Sequence, residues 1–357
     1  MLVKLMRSWI IAIVATIAAG STVFAAHSDI DPSQVNVLQL PEWKMTTSNY
    51  GGKLLLSDSP EMVPADGIMY QDTVSGDARL FFHHVNATTE AKKIVVLLEN
   101  NGSEPAQVTV LQHGLGGPSL DYLQVGKAVQ TQYFAMHEPY LVEVPAKGAT
   151  QLIYQLNDAV VEPNMLVNGM YDFYAEQPVT VKVMMMPVKE NARKFAATAK
   201  VLPADQWRLR GTFDGKDRML IPAAIYNPKE HGAVAITLAD NKKDVYVKGI
   251  DATDGSEVLN YGNYGIVYRM FMPSESNGKV SYYLNPRGGE YAGALGIKYQ
   301  YVPGQMDTPA DRLFFGASTE QDMQLLGNFE GGQSLWFTFS PPGASNLPVK
   351  VILAPKH

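Results

Sequence analysis

Beyond about residue 67 the chain alternates apolar and polar positions with a period of two. Val179, Val181, Val183 and Met185 alternate with Thr180, Lys182 and Met184. Val234, Ile236 and Leu238 alternate with Ala235 and Thr237, and Leu335, Phe337 and Phe339 with Trp336 and Thr338. Leu295, Ile297, Tyr299 and Tyr301 follow the same rule. Successive side chains of a strand point to opposite faces, so these runs predict half-buried strands. Residues 94–98 (IVVLL) are apolar throughout, which predicts a strand covered on both faces. Asn101-Gly102, Asp214-Gly215, Asp254-Gly255 and Asn277-Gly278 supply turns, because Asn, Asp and Gly tolerate positive φ. Many short strands between frequent turns predict an all-β chain of β-sandwich, jelly-roll-like domains.

Two segments depart from this period. Residues 119–134 (SLDYLQVGKAVQTQYF) place Tyr122, Val125, Val129 and Tyr133 on one helical face, with Ser119 as the expected N-cap. Gln124, Lys127, Gln130 and Thr131 make the opposite, polar face. Residues 189–200 are polar, Ala-rich and helix-compatible, and read as a linker. The expected organisation is a signal peptide at 1–25, a polar and weakly structured segment at 26–66, a first β-sandwich domain with one short helix at 67–187, a linker at 188–205, and a second β-sandwich domain at 206–357. An echo joins the halves. Val181-Lys182-Val183 precedes Pro187 as Val349-Lys350-Val351 precedes Pro355, which suggests duplicated domains.

Composition narrows the function. The chain has 357 residues, with 35 acidic against 29 basic side chains and a net charge of −6, the wrong sign for a nucleic-acid binder. It has no cysteine, which removes disulfides, thiolate metal sites and cysteine nucleophiles. Lys4 and Arg7 precede an apolar run from Trp9 to Ala19, and Val23-Phe24-Ala25 offers a small-residue cleavage site. This is the pattern of a secretory signal. The run is shorter than a bilayer span, so no stable membrane span is expected after cleavage. Secretion or residence in a bacterial cell envelope follows as the expected location.

No catalytic signature emerges. His83 and His84 are adjacent in a strand and point apart, so they cannot chelate one metal together. No G-x-S-x-G elbow is present. The turn Asp251–Glu257 is oxygen-rich but departs from calcium-loop spacing. The residues nominated for a ligand site are His113, Asp121 and Tyr122, around the Gly114-Leu115-Gly116-Gly117 segment expected to lead into the helix. Neither cofactor nor metal is expected. The reading is an exported, non-catalytic β-sandwich protein that binds a cell-surface glycan or an envelope protein, or plays a structural role. The alternative is a glycan-active jelly-roll enzyme, a glycoside hydrolase or lyase, recognisable by two carboxyl groups about 5–10 Å apart across a groove.

Overall fold

The computed structural model describes residues 35–317 and 319–356. The expected signal peptide and its cleavage site lie outside them. Strands make up 51% of the structure, and only one of its three α-helices, Tyr122–Phe134, reaches seven residues. The strands form an eleven-stranded, a six-stranded and a four-stranded sheet, none closed into a barrel.

The eleven-stranded sheet is built around two long antiparallel strands, Gly67–Asn86 and Leu166–Pro187. Lys92–Asn100 pairs with the second of these, and all of Ile94–Leu98 is buried. Ile94, Val96 and Leu98 enter the main core of this half, while Val95 and Leu97 meet Ala192 and Ala196 on the other face. Both faces of this strand are therefore covered, as its unbroken apolar run requires. The segment expected to be a linker instead packs a short helix, Ala192–Ala196, onto the sheet.

The segment 26–66, expected to be weakly structured, contributes three strands. Leu54, Leu55 and Leu56 are fully buried, in a run too short to display a period. Their strand, Lys53–Ser57, pairs in parallel with Gly67–Asn86 and antiparallel with Arg210–Asp214. The latter leads on to Lys248–Asp251 and Ser256–Leu259, so one sheet runs past the expected boundary at 188–205. Met45–Tyr50 likewise joins Asp217–Pro222 at the end of the six-stranded sheet.

That sheet continues through Val267–Phe271, Leu335–Phe339 and Gly293–Tyr299 to the edge strand Val302–Thr308. Its inner face buries Tyr268, Met270, Phe337, Phe339 and Leu295 in a core shared with Leu54, Leu56, Phe81 and Met170 of the first half. The helix Tyr122–Phe134 lies at the seam between the halves. It begins two residues later than an N-cap at Ser119 would place it, because Asp121 caps it. Val125, Val129 and Tyr133 are buried as expected. Gln124 of the polar face is exposed, but the rest of that face is turned away from solvent: Lys127 Nζ donates to the Arg312 carbonyl (2.8 Å), Thr131 to Asp307 (2.8 Å), and Gln130 is fully buried. Gly114 and Gly116 belong to the strand Ala106–Ser119 and not to a loop. Their lack of a side chain lets the helix lie directly on that strand, since a Cβ there would come within 2.2 Å of the Val129 carbonyl or 2.4 Å of the Val125 carbonyl.

Candidate functional site

The three nominated residues are not brought together. Asp121 accepts the Gln124 amide (3.1 Å) at the N-terminus of the helix. Tyr122, one residue on, donates its hydroxyl to the Asn164 carbonyl (2.7 Å). His113 lies near the other end, where its ring stacks on Tyr171 (5.4 Å between centroids) and meets His137 (4.2 Å) and Tyr140 (5.6 Å). Burial and then the charge of His137 lower its pKa. The helix between these points has 13 residues, about 20 Å at its usual rise. Antiparallel packing of helix on strand separates them, and sequence proximity concealed that. The acidic turn at 251–257 is occupied by arginines: Asp251 takes Arg210 (2.7 Å) and Asp254 takes Arg208 (2.7 Å). Among the described residues no group of three or more His, Cys, Asp or Glu gathers in a way that holds a metal.

The seam holds two polar sites instead. In the first, Arg79 is buried between the halves. Its guanidinium makes a bidentate pair with Asp172 (2.6 and 2.8 Å) and also reaches Asp217 (3.0 Å) and the Gly265 carbonyl (3.1 Å). Lys216 Nζ (2.9 Å) and the Tyr133 hydroxyl (2.9 Å) donate to the same Asp172 carboxylate. Burial alone raises an Asp pKa, but Arg79 and Lys216 outweigh it and hold Asp172 below the ordinary range. With four donors on its two oxygens, Asp172 stays ionised and has no free lone pair for general-base work.

A groove of about 330 Å³ opens beside this cluster, where the C-terminal end of the helix meets the outer face of the six-stranded sheet. Gln112, Tyr133, Phe134 and Asp172 form one wall, and Arg269, Gly296, Lys298 and Thr338 the other. Strand register puts Arg269 opposite Thr338 and Thr338 opposite Gly296, with Lys298 two residues further along the same face. Next to this row Trp336 pairs with Phe271 across the strands, their ring centroids 4.8 Å apart. Alternation singled out Phe337 and Phe339 as core. It left Trp336 and Thr338 on the other face, and that was the available signal for this surface.

The second site is smaller, about 130 Å³, lined by Asp58, Glu61, His83 and Tyr264 with the 343–344 turn above them. His83 Nδ1 is 3.1 Å from Asp58 and 4.0 Å from Glu61. Burial lifts the Asp58 carboxyl to about 6 against the pull of His83. Burial depresses the His83 imidazole, yet the Asp58 charge and hydrogen bond, then Glu61, leave it raised. His83 Nε2 is buried and has no hydrogen-bond partner among the described residues.

No protein-family profile matches the chain. No curated protein matches it either. Among solved structures it is similar to a Paenibacillus xanthan lyase, at 8% identity and a TM-score of 0.18 over 91% of this chain and 27% of that one. The chain thus spans about a quarter of the lyase's length. It is similar also to Lactobacillus farciminis oxalate decarboxylase (9%, TM-score 0.17, 87% of this chain and 88% of that one) and to tomato vicilin (9%, 0.11, 84% of each). At such scores these likenesses assign neither family nor activity.

Proposed function

We propose that the protein is exported and non-catalytic, and that it binds a glycan of the cell surface or envelope in the groove at the seam. The observation that carries this reading is the groove itself. Its volume falls within the range of ligand sites, about 300–1,000 Å³. Its one carboxylate, Asp172, is saturated with donors and cannot serve as acid or base. Sugar rings combine flat C–H faces with hydroxyls, and the neighbouring Trp336–Phe271 pair and the Thr338 hydroxyl match both. Export rests on the N-terminal pattern of residues 1–25. Duplication of a sandwich domain remains the account of the sequence echo. It draws support from the matching antiparallel pairs, Val183 with Val96 and Val351 with Leu284.

The glycan-active enzyme is the second reading, favoured by the Asp58–His83–Glu61 pocket. Its volume of about 130 Å³ lies below the range of an ordinary ligand site, about 300–1,000 Å³. One experiment separates the two. The mature protein is titrated with purified envelope polysaccharides while reducing ends and unsaturated products are assayed. Saturable binding without turnover, weakened by Trp336→Ala, supports the groove. Turnover abolished by His83→Gln would transfer the function to the smaller pocket. Binding to no polysaccharide would overturn the glycan reading.

A further inference from the structure

The groove's charge points to the chemistry of its occupant. Arg269 and Lys298 are exposed and stand on one face of the six-stranded sheet, and neither has a carboxylate partner among the described residues. The Tyr50 hydroxyl lies near Arg269: burial raises its pKa and the Arg269 charge pulls against that. The one acid lining the groove, Asp172, is already neutralised by Arg79 and Lys216. The cations left over therefore face open space in a protein whose net charge is negative. Arg269 shares a row with Thr338 and Gly296, small residues that leave a trough, and Lys298 ends the adjacent row, directly opposite Trp336 of the half-buried Trp336–Phe271 pair. We infer that this surface binds a carboxylate-bearing sugar, a uronic-acid residue of an acidic glycan, stacked on Trp336 and Phe271 with its carboxylate held by Arg269 and Lys298. The inference rests on the glycan reading above and adds its charge.

Position favours a saccharide over an acidic peptide. A peptide recognised by strand addition pairs along the free edge of a sheet, here Val302–Thr308. Lys298 stands one strand in from that edge and Arg269 three strands in, both on the sheet face. A planar guanidinium suits a carboxylate through two parallel hydrogen bonds, and an ammonium adds a point charge. An aromatic pair on the same face takes the apolar side of a ring.

The test uses the mature protein with oligomers of galacturonate, mannuronate and glucuronate, the methyl ester of each, a neutral glucose oligomer and an oligoglutamate peptide. At least one uronate should bind, weakening as salt is raised. Arg269→Gln and Lys298→Gln should each weaken it tenfold or more, and Trp336→Ala should do likewise. Both cation variants are at exposed positions, so their thermal unfolding should match the parent and exclude misfolding as the cause. Equal binding of uronate and ester, or of the neutral oligomer alone, would overturn the carboxylate inference and leave the glycan reading intact. Uronate binding unchanged by both cation variants would overturn the site. Binding of oligoglutamate alone, lost in Arg269→Gln, would replace the sugar with an acidic peptide. Failure of every saccharide would overturn both readings.

Discussion

His83 and His84 are neighbours in one strand, yet they live in opposite chemistries. His84 points with Leu80 and Phe82 into the core of the first half and is fully buried. Its Nδ1 faces the Pro60 carbonyl (2.9 Å), which can only accept, so Nδ1 carries the proton and Nε2 accepts from the Ser57 hydroxyl (2.8 Å). This has the form of a nucleophile–base pair, but no solvent or substrate reaches it, and burial drives the imidazole pKa down to about 3. His83 points with Arg79 and Phe81 toward the seam, where Asp58 supports its charge. One face of the strand admits only neutral polar groups, while the other collects ions and opens into cavities. Where two halves of a chain meet, the surfaces are less completely apolar, and that is where this protein keeps its charge.

The largest expected effect comes from breaking the seam face. Arg79→Met leaves Asp172 and Asp217 buried with less compensation, and loss of one partner of a buried pair costs about 3–5 kcal/mol. Urea unfolding measures this directly. A loss below about 1 kcal/mol would mean that the ionic cluster is dispensable and that the two faces differ less than their chemistry implies.

The histidines themselves give the next effect, and the sign differs between them. The His84 pKa is lower folded than unfolded, so between pH 6.5 and about 3 the folded state holds fewer protons, and stability falls as pH falls. At about 1.4 kcal/mol per pH unit, this single group accounts for about 3 kcal/mol between pH 6.5 and 4. Asp58 and His83 are raised, so the folded state holds more protons. Their contributions grow as pH falls, for Asp58 between about 6 and 3.8 and for His83 through the region above 6.5. His84→Gln should therefore flatten the acid loss of stability, and Asp58→Asn should steepen it. Unfolding free energies at pH 4 and pH 7 check both; a pH dependence unchanged in His84→Gln would remove the contrast.

The strands were legible because burial on one side imposes a period of two, and Leu335–Phe339 and Val179–Met185 wear it openly. The helix was legible through Val125, Val129 and Tyr133. The union of the halves was not. Lys53–Ser57 joins strands from both halves through backbone hydrogen bonds, which no side-chain pattern records. The seam sites were hidden for a related reason. Arg79 and Asp172 are 93 residues apart, and Arg269 and Lys298 are brought to one face only through the strand Leu335–Phe339 between them. What could be nominated from sequence were residues close in sequence, and the fold separates those by the length of the helix.

A smaller effect is expected where the helix presses on the strand Ala106–Ser119. Gly114→Ala places a Cβ about 2.2 Å from the Val129 carbonyl, a backbone atom that cannot swing aside. The helix must shift, at a typical overpacking cost of about 1–3 kcal/mol. The shift also moves Tyr133 and Phe134, so binding in the groove should weaken with stability. Intact stability in Gly114→Ala would mean that the helix floats over the seam face and does not hold the groove in shape.

The smallest effect tests the separation of the nominated residues. Asp121 is exposed and caps the helix by accepting the Gln124 amide (3.1 Å), so Asp121→Ala should cost about 1 kcal/mol through an unsatisfied backbone donor. His113→Ala removes the ring between Tyr171 and His137, at the other end of the helix. The two residues share no partner. Changes at such distant sites add to within about 0.3–0.5 kcal/mol, so the double variant should lose the sum of the single losses. Chemical denaturation of the four proteins completes the cycle. A coupling well above that margin would mean that His113 and Asp121 act on one site after all, through the helix that lies between them.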